Sequence, residues 1–390
     1  MTGEAANVEV SVVMPCLNEA DTLAICIKKA HRAFREGGIL GEVVVADNGS
    51  TDGSAAIALA SGARVVPVSA RGYGSALMGG IAAARGRYVI MGDADESYDF
   101  LEIPKFVAKL REGYDLVQGC RLEWGGGHIE PGAMPFLHRW WGNPMFTLIV
   151  RKWFGAPVHD VYCGLRGFSR EFYERLDQRC TGMEFATEMI IKAGVHRARV
   201  AEVPITLHLD GRVAHKPHLK TFRDGWRTLR LFLLYSPRWL FLTPGAAMIG
   251  VGLIGYALAL PGTRAFGVRF GAHTLLFASL SIICGYQSIL FAAFAKTFAI
   301  GEGLIPLSNV MQRLYRSITL ERGLAVGALG MVSGVALLVG AVAQWRAAKF
   351  GDLDYAVTMR WVVPGVTLTA LGVQTILSSF FLSLLGMRRR

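Results

Sequence analysis

Charge is what the second part of this chain lacks. Four stretches, Trp239–Leu260, Ala272–Ala295, Gly323–Trp345 and Trp361–Met387, contain no Lys, Arg, Asp or Glu. Each approaches or exceeds the roughly 20 apolar residues that cross a bilayer. One such stretch would pass as a buried core helix; four in series read as membrane spans. The composition agrees, with 52% of the 390 residues hydrophobic and only 18% charged. Paired cysteines are missing too. Cys16, Cys26, Cys120, Cys163, Cys180 and Cys284 form no C-x-x-C and no metal spacing, so they read as small apolar side chains. The N-terminus has acids where a signal peptide has Lys or Arg, and no apolar run of signal length. The expectation is that the first half stays in the cytoplasm. Motifs for nucleic acid are absent as well, and none is expected as a partner. The net charge of +11 instead crowds beside the apolar runs, which is the membrane pattern. On that pattern Lys296, Arg313, Arg316, Arg322 and the tail Arg388 to Arg390 fall inside, and Arg264, Arg269, Arg346, Lys349 and Arg360 outside.

What the first half does contain is an alternation of short β-branched runs and helical patterns. The expected strands are Val8–Met14, Glu42–Ala46, Arg64–Val68, Tyr88–Met91 and Asp115–Gly119. Helices are expected from Glu19 to Arg35, from near Ser50-Thr51-Asp52, from Tyr73 to Ala84, and from Pro104, where a missing N–H costs little. Strands alternating with helices imply an α/β, doubly wound, mainly parallel sheet. In such sheets ligands gather at the carboxyl ends of the strands. Three polar clusters fall there: Pro15 to Glu19, Asp47 to Gly53, and Asp93 to Asp99. A single acid at such an end is commonly a helix cap, and Ser50 or Thr51 is expected to cap the next helix. Three clusters on one edge are a site.

The third cluster, "GDADESYDF", runs an apolar strand into four carboxylates: Asp93, Asp95, Glu96 and Asp99. Crowded acids repel, so positive charge is expected among them. A calcium loop is excluded, because Tyr98 stands where that loop needs glycine and Pro104 where it needs glutamate. What remains is D-x-D on a turn. Two carboxylates there can share one hard cation, Mg²⁺ or Mn²⁺, whose open positions take substrate phosphates.

At this point a resemblance is clear. "VVMPCLNEADTL", "VVVADNGSTDGS", "RGYGSALMGGIAAARGRYVIMGDAD", "DVYCGLRGF" and "EVPITLHLDGR" together resemble the family-two inverting glycosyltransferases, and within them the polyprenyl-phosphate enzymes of the dolichol-phosphate mannose synthase type. The resemblance covers Val10 to Arg212 in order. It implies a GT-A (Rossmann-like) catalytic domain followed by an all-α transmembrane region. It assigns Pro15, Asn18, Glu19, Asp47 and Asp93 to the nucleotide donor pocket, with Arg71 and Gly72 beside them, and Asp93 and Asp95 to metal and diphosphate. Arg121 and Arg139 match arginines that meet the acceptor phosphate. Asp160 to Arg166 matches a turn near the active site, and Glu188 a family glutamate of unassigned role. Departures are Asn48 for a second aspartate, Tyr73 for a lysine, and Ser97 for a glutamine beside the metal.

The implied reaction is inverting transfer of a sugar from a GDP- or UDP-linked donor to polyprenyl phosphate (undecaprenyl or dolichyl). Hydroxyl acceptors need a base; a lipid monophosphate is already anionic and needs fixed positive charge instead. Asp95, Arg121 and Arg139 are the catalytic candidates, with Arg166, Arg212 and Lys216 further acceptor-phosphate candidates. Leu219, Phe222, Trp226, Leu229 and Leu233 recur at helical steps between basic residues, a pattern suited to the membrane interface. Val310, Leu314 and Ile318, flanked by Arg313 and Arg316, hint at another. The expected organisation is therefore a cytoplasmic catalytic domain over 1–211, an interfacial segment over 212–238 and a four-span domain over 239–390. A homo-oligomer is compatible with the resemblance. Alternatives are a processive polysaccharide synthase, which would carry Q-x-x-R-W where only "SPRW" stands, and a non-catalytic scaffold that binds nucleotide sugar.

Overall fold

The computed structural model describes residues 8–212, 221–265 and 267–387. Lys216, Leu219, Lys220 and Arg388 to Arg390 lie outside the described residues, as do the side chains of Phe222 and Val310. The chain divides into two compact units, one ending at Phe232 and one beginning at Leu233.

In the first unit the order is β1 (Val10–Cys16), α1 (Leu23–Glu36), β2 (Gly41–Asp47), α2 (Ser54–Ala60), β3 (Arg64–Pro67), α3 (Tyr73–Ala83), β4 (Tyr88–Met91), α4 (Ile103–Arg111) and β5 (Leu116–Cys120). Then come β6 (His128–Ile129), α5 (Asn143–Phe154), β7 (Arg166–Ser169), α6 (Arg170–Leu176), α7 (Phe185–Val195), β8 (Val200–Pro204), β9 (Thr206–Leu207) and α8 (Thr221–Tyr235). The main sheet runs β3-β2-β1-β4-β7-β5-β8. It is parallel except for β7, which is antiparallel to both its neighbours. This is the GT-A arrangement. β1, β4 and β5 are fully buried apolar strands, as a sheet covered on both faces requires. Glu42 anchors one end, accepting from Ser11 Oγ at 2.7 Å, Arg85 N at 2.8 Å and Arg64 Nη2 at 2.8 Å.

The alternation of strands and helices reaches only as far as β5, and β7, like β6, β8 and β9, is not predicted from it. Four residues long, it enters the sheet between two parallel strands straight after a turn.

In the second unit α9 (Thr243–Ala259) extends a π-helical turn at Arg238–Leu242, and a short hairpin of β10 (Arg264–Ala265) and β11 (Val268–Arg269) follows. α10 (Ala272–Gly301), α11 (Asn309–Ser317), α12 (Leu320–Ala347) and α13 (Tyr355–Gly386) complete it. Among the described residues four helices, Arg238–Ala259, α10, α12 and α13, are long and apolar enough to cross a membrane. They contain the four charge-free stretches except for their end residues Leu260 and Met387. With no hydrophobic drive between helices in lipid, close backbone approach and hydrogen bonds hold such bundles. Tyr256 Oη lies 2.6 Å from Ser279 Oγ and 3.0 Å from Thr367 Oγ1, and Tyr286 Oη lies 2.6 Å from Thr375 Oγ1. α12 meets α13 at glycines. A Cβ on Gly334 would stand 2.5 Å from Thr369 N and 2.6 Å from Gly365 O. Gly340, on the same helix, has nothing within 4 Å of such a Cβ.

Gly334→Val is therefore expected to cost about 1–3 kcal/mol by overpacking, and Gly340→Val almost nothing. Thermal unfolding of the detergent-solubilised protein measures both, and equal melting temperatures for the two variants would contradict this packing.

Candidate functional site

Strand register decides which loops meet. Cys16 pairs with Asp47 and Asp47 with Pro67, while Val13 pairs with Met91. The carboxyl ends of β1, β2 and β4 thus emerge on one edge, and β5 runs the same way as β4 because β7 is antiparallel to both. β1 is where the strand order reverses, the place at which open sheets form a ligand crevice. Pro15 lies buried in β1 opposite Ala46. Asn18 adopts a left-handed conformation (φ 62°) that Asn tolerates well. Its N–H donates to Ser50 Oγ at 3.0 Å and its Oδ1 accepts from Thr51 N at 2.8 Å. Asp47 Oδ1 accepts from Ser50 N at 3.2 Å. One expectation is corrected here: Ser50 and Thr51 serve Asn18, and Asp52 accepts from Ser54 N at 3.0 Å at the start of α2.

Asn48 explains its own departure from the family pattern. Its amide donates to Val68 O at 2.9 Å and Ala70 O at 2.8 Å and accepts from Gly72 N at 2.9 Å. An aspartate has no proton for those two carbonyls. Asn48 thereby fixes the turn that carries exposed Arg71 and Gly72, whose φ of 131° favours glycine. From the other side Thr181 O accepts from Ser75 N at 3.1 Å. The loop bearing Thr181 is held by Glu188, which accepts from Arg179 N at 3.0 Å and Cys180 N at 2.8 Å and pairs with buried Lys192 at 2.8 Å. Glu188, whose role was open, braces this loop from within α7.

The four carboxylates of the Asp93–Asp99 cluster separate into two pairs. Glu96 and Asp99 face Lys29, at 3.2 and 3.9 Å. Asp93 and Asp95 face the crevice. Tyr73 Oη donates to Asp93 Oδ1 at 2.9 Å, so the residue standing where a lysine is usual holds an acid in place. Ser97 donates to Asp95 Oδ1 from its N at 3.1 Å and its Oγ at 2.5 Å. Asp95 Oδ2 receives Arg212 Nη2 at 2.7 Å, and Arg212 Nη1 reaches Glu19 Oε1 at 3.1 Å. Arg212 also meets Asp210 Oδ2 at 2.8 Å. Burial first, then the neighbouring charge of Asp95, pushes the Asp93 carboxyl up to about 6, against the lowering pull of Tyr73, Arg212 and Arg121. The pair is short of positive charge and offers hard oxygen ligands, which fits a divalent cation. Among the described residues no group of three or more His, Cys, Asp or Glu side chains forms a metal cage. A cation here would complete its shell with substrate and water oxygens, as Mg²⁺ commonly does.

Behind this pair lies a buried ionic layer. Asp160 accepts from Arg121 Nε at 2.7 Å, Nη2 at 2.8 Å and the backbone N at 3.1 Å. Arg121 Nη1 points to Tyr98 Oη at 3.4 Å, and Tyr98 Oη accepts from Gly164 N at 2.8 Å. Gly164 has no room for a side chain: a Cβ would stand 2.8 Å from Asp93 Oδ2. Arg166 requires a correction. Expected at the acceptor phosphate, it is fully buried and donates to the carbonyls of Cys163 (3.0 Å), Val161 (3.1 Å) and Ala186. It builds the turn and presents no open edge. Arg139 stands in a π-helical turn, His138–Gly142, pairs with Glu123 and lies 5.5 Å over the Trp140 ring. Burial pushes the thiols of Cys26, Cys120 and Cys163 up to about 12, which leaves them unreactive.

A family model described as "Glycosyl transferase family 2" matches residues 11–177, and one described as "Glycosyltransferase family 2 C-terminal transmembrane region" matches 293–386. The chain is 38% identical over 378 residues to the low-salt glycan biosynthesis hexosyltransferase Agl6 of Haloferax volcanii, covering 96% of this chain and 89% of that protein. The chain belongs to glycosyltransferase family 2. It is also 32% identical over 198 residues to a dolichyl-phosphate hexose transferase of the same organism (50% of this chain, 82% of that one). To the undecaprenyl-phosphate 4-deoxy-4-formamido-L-arabinose transferase of Pseudomonas paraeruginosa it is 29% identical over 295 residues (71% and 81%). Within this glycosyltransferase the first family match spans Asn18 to Arg166 but stops short of Glu188, Asp210 and Arg212. Those three reach the site through the tertiary fold.

Asp160→Ala is expected to destabilise the enzyme by about 3–5 kcal/mol, because it strands a buried guanidinium. A denaturant midpoint within error of the wild type would contradict the pairing.

Proposed function

We propose that this glycosyltransferase moves a sugar, with inversion, from a nucleoside diphosphate sugar to a polyprenyl phosphate at the cytoplasmic membrane face. One observation carries the reading: two aspartates on a sheet edge, short of counter-charge, stand in a chain with four membrane-length apolar helices. Relatives named for dolichyl-phosphate and undecaprenyl-phosphate acceptors support the lipid. The donor nucleotide would lie against Pro15, Asn18, Glu19, Asp47, Arg71 and Gly72. Asp93 and Asp95 would hold Mg²⁺ or Mn²⁺, which when bound neutralises the departing diphosphate. Asp95 is kept aimed by Ser97, and Asp93 by Tyr73.

The acceptor phosphate brings its own negative charge, so the protein's task is to admit it beside a diphosphate. Arg121 fixes a positive charge behind the site, where Asp160 prevents it from swinging. Arg139 supplies a second on the rim, and Arg212 a third at the crevice. Oriented guanidinium donors of this kind stabilise charge as it shifts between phosphates.

The rim is apolar where a water-facing rim would be polar. Phe136 is 73% exposed and Trp141 69%, with Leu137, Trp140, Met145 and Leu148 also outward. α5 packs inward through Phe146, 5.7 Å from Phe232 of α8, and Trp226 of α8 is exposed. Exposed Trp and Phe interleaved with Arg suit the headgroup layer of a bilayer. This face would hold the crevice at the level of a lipid phosphate.

The test of the reaction is to incubate the purified protein with Mg²⁺ or Mn²⁺, polyprenyl phosphate and a panel of GDP- and UDP-sugars, and to read the lipid product by mass. Asp95→Ala and chelation are each expected to abolish the product while the protein stays folded; undiminished transfer in either case would sink the metal role. For the aromatic rim, Trp140→Ser with Trp141→Ser is expected to raise KM for a long polyprenyl phosphate about tenfold, while a short water-soluble prenyl phosphate is turned over as before. Equal changes for both acceptors would remove the rim from the membrane.

A further inference from the structure

The cation at Asp95 is an arginine from the far end of the unit. Arg212 reaches Glu19 Oε1 at 3.1 Å, Asp95 Oδ2 at 2.7 Å and Asp210 Oδ2 at 2.8 Å, with its own side chain 11% exposed. Its delivery is built into the fold. β9 pairs with β6, Leu207 bridges to Tyr98, His208 N donates to Ser97 O at 3.0 Å and Gly211 N to Asp95 O at 3.0 Å. Gly211 permits that approach, since a Cβ would come within 3.0 Å of Glu96 Oε2 and Thr22 Cγ2. The segment 206–212 is thus laid along the D-x-D turn, and its last residue is aimed at the carboxylates.

Asp95 Oδ1 is already engaged by Ser97 N and Oγ. Oδ2 is the oxygen open to a cation, and the guanidinium takes it. A divalent ion on the same oxygen would repel that guanidinium at short range. A diphosphate removes the conflict, because it offers oxygens to the metal and to an arginine fork together.

We propose that Arg212 is the resident counter-ion of Glu19, Asp95 and Asp210, that it competes with the divalent cation for Asp95, and that arrival of metal with nucleoside diphosphate transfers it from carboxylate to phosphate. The inference rests on the metal reading above and adds to it an ordering: metal alone binds poorly, metal with nucleotide binds well. Linkage makes the coupling reciprocal. The arrangement gives three acids one shared cation in the resting enzyme and releases a phosphate-binding arginine when the donor is in place.

The experiment measures Mn²⁺ binding to the purified full-length protein from the free-Mn²⁺ resonance signal, with Mn²⁺ alone and with UDP or GDP. The melting-temperature rise on adding Mn²⁺ is a second readout. Wild type is expected to bind Mn²⁺ about tenfold more tightly with its nucleotide than without. Arg212→Ala is expected to bind Mn²⁺ alone about tenfold more tightly than wild type, to gain more melting temperature from it, and to lose most of the nucleotide enhancement. Should Arg212→Ala not fold, Arg212→Lys carries the same test, since a lysine lacks the separate fork nitrogens with which Arg212 meets Asp210, Glu19 and Asp95, and Mn²⁺ alone should again bind better than in wild type. Mn²⁺ affinity unchanged or weaker in the folded variant would overturn the proposal. If wild-type binding is lost in Asp95→Asn yet indifferent to Arg212, the competition alone is wrong. If wild type binds no Mn²⁺ with either nucleotide, the metal reading falls and takes this proposal with it.

Discussion

Repulsion between carboxylates gathered on one sheet edge is the constraint around which this enzyme is built. Asp93 and Asp95 sit two residues apart on a turn that begins where β4 leaves the sheet, and Glu19 and Asp210 meet the same guanidinium as Asp95. Burial, and after it the charge of Asp95, raises the pKa of the Asp93 carboxyl. The fold answers by division. Glu96, in a left-handed conformation (φ 66°), turns with Asp99 toward Lys29. Tyr73 and Ser97 donate neutral hydrogen bonds to the remaining pair, and Arg212 brings charge. Hydroxyl donors orient a carboxylate without cancelling its charge, so the deficit persists, as the proposed substrate-borne cation requires.

The second layer obeys a different rule. Arg121–Asp160, Lys192–Glu188 and Arg166 with its carbonyls are all buried, and burying ions rarely gains stability over apolar packing. Their common property is that each fixes a loop at the carboxyl edge. Asp160 holds the residue that follows β5. Glu188 holds the loop that presses on Gly72 and Ser75. Arg166 knits the turn that presents Gly164 to Asp93. Glu202 repeats the device one step back, accepting from His159 N at 2.6 Å and so placing the neighbour of Asp160. Polar atoms with fixed directions specify loop geometry where apolar contacts would allow sliding. This interior trades stability for the position of a few atoms.

Much of the fold was legible because its signals are local. Short β-branched strands followed by turn residues mark β1 to β5, charge-free runs mark the membrane-length helices, and D-x-D after a strand marks the crevice. β7 was not legible, since an antiparallel four-residue insert leaves no trace in a pattern of alternating strands and helices. Side-chain direction was no more readable. Arg166 and Arg121 look alike on paper as arginines near phosphate-binding turns, yet one donates wholly to backbone carbonyls and the other pairs with an acid. Ser50 and Thr51 offered themselves as caps, but β1 and β2 end side by side, and the nearest orphan groups belonged to Asn18. Arg212 illustrates the limit most plainly. It binds residues 117 and 193 positions away, and the pairing of β9 with β6 together with the backbone bonds of residues 207–211 to the D-x-D turn brings it there.

The proposed acceptor agrees with what the crevice spends its polar groups on. An enzyme that activates a hydroxyl needs a base with a free lone pair beside the sugar carbon and a pKa near the working pH. Asp160 and Glu188 are buried acids whose oxygens are taken by Arg121 and by Lys192 with two backbone amides, so neither can accept a proton without dismantling its loop. Asp95 has both oxygens engaged, and Asp93, its pKa raised by burial, gives one oxygen to Tyr73 and is the proposed cation ligand rather than a base. Arginines, by contrast, recur around the crevice. Oriented guanidinium donors favour a nucleophile that arrives already charged. Phosphate borne by a lipid is such a nucleophile, and an aromatic, basic rim on a membrane-anchored chain is the surface on which it would be met.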